Sequence, residues 1–207
     1  MVYSTGFFML QLKGNKMTMM TCMTLSAEPF KINTPRSIVY QNYVSQFSDP
    51  AGLHKSKLDA IFKIKTQYFF FQDYDDPLPN IYPVPEKSIV YGDFFTRYVT
   101  SGHIKRTIAE PWSESWHLKN PLMVHKAICN TATARAVASV LPQGEFLTEP
   151  LLYYFMCKVY GFTYDPALEF IWNKSPKGFH TKSERSITNA VKWIKQNEAA
   201  VLAKLLK

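Results

Sequence analysis

Apolar residues follow two different rhythms along this chain. Through roughly the first hundred positions they come in short runs of extended character, and beyond that they recur at helical spacing. The opening stretch GFFMLQL–KGNK–MTMMTCMTL predicts two extended segments around a Gly14-Asn15 turn. Thr18, Thr21 and Thr24 favour the pleated backbone, and Gly14-Asn15 reaches positive φ at little cost. Pro29 and Pro35 punctuate the exit. Residues 56–65 predict a short helix: Ser56 caps it, Asp59 follows three residues on, and Leu58, Ile61, Phe62 and Lys65 fall at helical spacing. TQYFFFQ reads as a buried strand. DYDDPLPNIYPVPEK, with Pro77, Pro79, Pro83 and Pro85, reads as a surface loop, because proline removes the backbone donors that a helix or central strand needs. Strand character resumes in SIVYGDFFTRYV around Gly92-Asp93.

The second half predicts helices. One opens on Pro121 and runs through PLMVHKAICNTATARAVASV, with proline tolerated in the first turn. Another opens on Thr148, carries Pro150 in its first turn and closes on Gly161. The longest covers 182–206. Thr181 and Glu184 form a capping box there, and Ile187, Ala190, Val191, Ile194, Val201, Leu202 and Leu205 make an apolar stripe of period 3.6. The expectation is an α+β protein, strand-rich over 1–100 and more helical over 101–207, with the proline-rich loop near the boundary.

At 207 residues the chain is long enough to bury roughly 70% of its unfolded surface without a disulfide or metal staple. No apolar run approaches the ~18 residues of a membrane span, so no membrane partner is expected. FFMLQL is too short for a secretory signal, and it has no basic residue before it. Cys22, Cys129 and Cys157 are widely spaced and form no zinc pattern; they fit buried thiols in a reducing, cytoplasmic setting.

Charge changes the picture. Lys and Arg number 24 against 16 Asp and Glu, a net +8, and residues 151–207 alone hold nine basic against four acidic groups. An excess of this kind points to a polyanion. No Gly-rich phosphate loop and no nucleophile elbow accompanies it. Asp73, Asp75 and Asp76 read as a solvated turn rather than a cation site, since no glutamate stands at calcium-loop spacing. No cofactor and no metal is expected. Of the five histidines, His54 in GLHKSK is the candidate for chemistry. A histidine among lysines is placed to act as general base on a ribose 2′-hydroxyl, but the same position suits an ordinary surface histidine. His103 in SGHIKRT has a similar flank.

The basic segments are the positive signal. Lys55 and Lys57 flank the first helix, and Arg97, Lys105 and Arg106 follow the FFTRY strand. Lys174, Lys177, Lys182 and Arg185 cluster around Phe179 and His180. With Lys31 and Arg36 these are the expected phosphate contacts, and Tyr40 and Tyr43 are expected to stack or wedge bases.

In outline, residues 17–162 resemble the non-catalytic RAMP-type subunits of CRISPR effector complexes that grip the 5′ handle of a guide RNA. MTMMTCMTLSAEPFKI resembles their first strand and its exit, and LHKSKLDAIFKI the helix after it. DPLPNIYPVP with SIVYGDFF resembles their proline-marked passage into later strands, and LPQGEFLTEPLLYYFMCKVYGF their later strand-to-helix step. The family's glycine-rich loop is replaced here by KSPKGFH, with the single Gly178. The resemblance implies a ferredoxin-like βαββαβ core, guide-RNA binding and assembly with other protein subunits. The functional expectation is therefore a non-catalytic RNA-binding subunit of a ribonucleoprotein. Two alternatives stand beside it: a metal-independent endoribonuclease using His54, and a structural subunit of a large assembly such as an organellar ribosome.

Overall fold

A computed structural model of the chain describes residues 19–26, 28–29, 31–45, 49–73, 75–122, 124, 126–174 and 183–207. The fold is α+β; the described residues form one mixed seven-stranded sheet and five helices. The strands are β1 (Met20–Ser26), β2 (Ile38–Val44), β3 (Tyr68–Phe71), β4 (Ile89–Tyr98), β5 (Ile104–Thr107), β6 (Ile128–Asn130) and β7 (Phe162–Lys174). The helices are α1 (Pro50–Lys63), α2 (Glu114–Lys119), α3 (Thr131–Ala138), α4 (Thr148–Phe155) and α5 (Ser183–Leu205); a π-helical turn, Met156–Tyr160, extends α4.

Strands β1 and β3 are buried on both faces, and side-chain alternation divides the core between them. Met23, Phe69, Phe71, Ile89 and Tyr91 point to the layer formed with the helices. Met20, Cys22, Tyr68, Phe70 and Val90 point the other way, where Leu78, Tyr82 and Val84 of the proline-rich loop cover them. The loop therefore acts as the second covering layer. Its polar side chains also close the outer edge of β7: Asn80 accepts from Glu169 N at 2.8 Å and donates to Ala167 O at 2.9 Å, and Asp76 accepts from Asn173 N at 2.6 Å.

β1 pairs in parallel with both β2 and β3, while β6 pairs antiparallel with both β3 and β4. Strands from the two halves of the sequence thus interleave in one sheet. β7 runs parallel along β4 from Ile89 to Tyr98, so β6 and β5 share the opposite edge of β4 in tandem. The β4–β7 register shifts between Tyr91 and Asp93. Gly92 makes the shift possible, since a Cβ there would collide with Leu168 O and lie 2.5 Å from Asp165 O.

Several sequence expectations need correction. The first helix starts at Pro50, six residues before Ser56. Asp49 Oδ1 accepts from Gly52 N at 2.7 Å and Pro50 occupies the first turn, a stronger start than Ser56, whose hydroxyl instead meets Ser45 Oγ at 2.7 Å inside the fold. Among the described residues no helix runs from Pro121; β6 comes first, and Asn130 then caps α3 by accepting from Ala132 N and Thr133 N. β7 was not anticipated at all. The expected segments around Gly14-Asn15 and the Thr181 cap lie outside the described residues, although MTCMTLS within the second segment is β1.

α4 forms as expected, and Gly161 ends its π-helical extension at φ +81°. α5 buries Ala190, Ile194 and Val201 and exposes Lys192, Lys195 and Lys204. Cys22, Cys129 and Cys157 are all buried free thiols; burial pushes the Cys22 thiol up to about 12 and raises the other two as well. Among the described residues no helix is long and apolar enough to cross a membrane, and no cluster of His, Cys, Asp and Glu is arranged to hold a metal ion.

Candidate nucleic-acid interface

The expected RNA-contacting residues separate into three groups in space. Some are committed to the core. Lys57 is buried on α1, ion-paired with Glu149 of α4, with its Nζ 5.6 Å from the centroid of Phe71. Burial opposes the Lys57 charge, but the Glu149 carboxylate outweighs it and raises the pKa. A lysine held there presents no charge to a phosphate, which corrects its expected role. His54 is also buried. Its Nδ1 lies 3.0 Å from Thr148 Oγ1 and its Nε2 2.9 Å from Pro142 O. The carbonyl requires a proton on Nε2, so Nδ1 accepts from the threonine. Burial, first of all, lowers its pKa. This is neither a surface histidine nor one with a nitrogen turned toward a substrate.

A second group is dispersed. Lys31 and Arg36 are exposed between β1 and β2, and Lys55 is exposed on α1, 2.5 Å from Asp59. Arg185 lies 3.3 Å from Glu145. Tyr40 and Tyr43 stand on opposite faces of β2 and cannot form one wedge: Tyr40 packs on the loop side, its hydroxyl 2.7 Å from Thr24 Oγ1, and Tyr43 packs on the helix side. Lys177, Lys182, Phe179 and His180 lie outside the described residues.

The third group converges. Where β4, β5 and β7 run side by side, Thr96 is paired with Lys105 and Trp172, Arg97 with Ile104 and Asn173, and Tyr98 with Lys174. Directly paired residues share a face of the sheet. Phe94, Tyr98, Trp172, Lys174 and Lys105 therefore occupy the face opposite the helices, and Arg97, between Thr96 and Tyr98, lies on the other face. The Lys174 ammonium lies 5.6 Å from the Tyr98 centroid and 6.0 Å from that of Trp172. Phe94 and Trp172 stack at 6.0 Å and 23°. On the far side Tyr98 meets His103 at 6.0 Å and 31°. The β4–β5 turn enforces that last contact, with Tyr98 N donating to His103 O at 2.8 Å, Gly102 N donating to Tyr98 O at 2.8 Å, and Gly102 at φ +67°.

Two carboxylates near this corner, Asp93 and Asp76, are already paired. Arg106 donates to Asp93 Oδ2, 2.9 Å from Nε and 2.5 Å from Nη2, and Tyr164 and the Ala109 amide donate to Oδ1 at 2.8 and 3.2 Å. Burial works against the Asp93 charge, but these hydrogen bonds outweigh it and hold the pKa below the usual carboxylate range. Arg106 is thus a structural counter-ion with a half-exposed side chain rather than a free phosphate ligand. Asp76 is buried against Lys126. Arg97, Lys105 and Lys174 form no ion pair among the described residues.

Charge alone led to Arg97, Lys105 and Lys174; Tyr98 and Trp172 were missed. The aromatic and β-branched residues of FTYDPALEFIWNK were the available signal, and Pro166 interrupts them. Among known proteins, no family model matches the chain and no curated protein matches it significantly in sequence.

Proposed function

We propose that the protein binds RNA without turning it over, as a subunit of a larger ribonucleoprotein. The observation that carries this reading is the placement of Lys105 and Lys174 on one face of the β4–β5–β7 corner, with Arg97 on the reverse face of the same strands. Their charges are not cancelled by a described carboxylate, whereas Lys57, Arg106 and Lys126 are all spent inside the fold. Val99, Ile104 and Ile108 are exposed apolar neighbours, which suits a protein contact beside the RNA.

The finer reading, a ferredoxin-like RAMP-type subunit gripping a guide-RNA handle, leans on the sequence resemblance. It implies a βαββαβ order, and the described residues instead run ββαββ from Met20, with β1 parallel to both neighbours. A structural subunit of an organellar ribosome would use the same surface. The endoribonuclease alternative loses its base, because both His54 nitrogens are occupied.

Fluorescence anisotropy with a labelled oligoribonucleotide tests the proposal. Binding at low salt should weaken with a log–log slope of roughly −1.4 for the two phosphate contacts of Lys105 and Lys174 on a single strand. Substituting Arg97, Lys105 and Lys174 by alanine together should abolish it. RNA incubated with the protein in EDTA should keep its length. Absence of binding at low salt, or a triple variant that binds like the wild type, overturns the reading.

A further inference from the structure

We infer that the RNA bound at this corner is single-stranded and is held by base stacking on the Tyr98–His103 ring pair, with Lys174 and Lys105 reaching the adjoining phosphates; the inference rests on the RNA-binding reading above. Three observations carry it.

The first is the nature of the surface. It is an aromatic ladder with cations along it: His103 against Tyr98, then Lys174 over Tyr98 and Trp172, then Trp172 stacked on Phe94. A ring platform recognises the faces of bases, and a duplex hides those faces inside its stack. The deep, narrow major groove of A-form RNA also keeps side chains from the base edges. Only splayed-out bases can use such a platform.

The second is scale. Three adjacent strands span about 10 Å between the outer two, and this face of the corner offers two cations, Lys105 and Lys174. Shape-based duplex recognition spreads its contacts over about 16 base pairs and two minor grooves. A corner of this width and charge matches two or three nucleotides of a single strand.

The third is preorganisation. Tyr98 is anchored by the β4–β7 register and by the hydrogen-bonded turn to His103. His103 is exposed while Tyr98 is half-buried, so the pair stands at the edge of the ladder with its outer ring toward solvent. Stacking on a rigid ring costs little side-chain entropy, and every base has a π-face, so sequence preference should be slight.

The test compares labelled ten-nucleotide U- and A-oligoribonucleotides with a 16-base-pair RNA duplex at one salt concentration. The wild type should bind both single strands with similar affinity and at least tenfold more tightly than the duplex. Tyr98→Ala and His103→Ala should each weaken single-strand binding by about 5- to 150-fold. The salt slope should stay unchanged, since no phosphate contact is removed. Tyr98→Trp keeps a ring and should retain binding; it guards against the case in which Tyr98→Ala simply unfolds, which circular dichroism would reveal. Duplex binding as tight as single-strand binding overturns this inference and leaves the RNA-binding proposal standing, as do folded alanine variants that bind like the wild type. Failure to bind either RNA at low salt overturns both.

Discussion

Lys57 and Glu149, separated by 92 positions in sequence, form a buried ion pair that joins α1 to α4. A pair of this kind is costly to break, because the surviving partner is left charged in the core. Lys57→Met alone should therefore destabilise the protein by about 3–5 kcal/mol. Lys57→Met with Glu149→Leu should recover much of the loss, since both charges disappear together. Chemical denaturation of the two variants and the wild type measures this; equal stability of the single and double variants would show that the two residues are not coupled.

Gly92 predicts a sharper failure. A methyl group there meets backbone oxygens of β7, which cannot rotate away as a side chain can. Gly92→Ala should cost at least about 3 kcal/mol, by forcing β4 from β7. Thermal unfolding followed by circular dichroism reads the effect, and a Tm within a degree or two of wild type would show that the strands separate there at no cost.

His117 sets an acid limit. It is fully buried, accepts from Trp112 Nε1 at 3.0 Å through Nδ1, and lies 3.0 Å from Pro150 O through Nε2. Burial lowers its pKa from 6.5 to about 4. In the unfolded chain the ring takes up a proton near pH 6.5, and in the folded chain it resists until about pH 4. Its contribution is thus intact above pH 6.5 and is lost as pH falls toward 4, amounting to about 3 kcal/mol when complete. His54, also lowered by burial, acts in the same direction. Stability profiles between pH 4 and 7.5 should slope upward with pH, and His117→Phe, though less stable overall, should flatten the slope.

The last helix separates packing from charge. Ile194 is fully buried and Lys192 and Lys195 are exposed. Ile194→Ala should cost about 2–5 kcal/mol. Lys192→Ala with Lys195→Ala should change stability by no more than about 0.5 kcal/mol. Urea titrations of both variants check the contrast; a neutral Ile194→Ala would mean that α5 is not part of the core.

Local pattern was enough for elements whose own residues decide them. YFFF is apolar throughout because β3 is buried on both faces, and the α5 stripe repeats because one helical face meets the core. The proline-rich loop was legible for the same reason: missing amide donors rule out a ladder regardless of surroundings. Charge composition picked out Arg97, Lys105 and Lys174, but could not distinguish them from Lys57, since a paired core lysine and an exposed one look alike in sequence.

Tertiary structure decided what depends on distant partners. Ile128–Asn130 is a strand only because β3 and β4 leave a gap between them, and β7 exists because Gly92 admits its backbone against β4. His54 was turned from a candidate base into a core residue by Thr148 and Pro142, roughly ninety residues away. The aromatic ladder arises from register: Tyr98 and Lys174 lie 76 positions apart and meet because two parallel strands align there. Side-chain periodicity is written residue by residue along the chain, whereas burial, ion pairing and register are properties of pairs that only folding brings together.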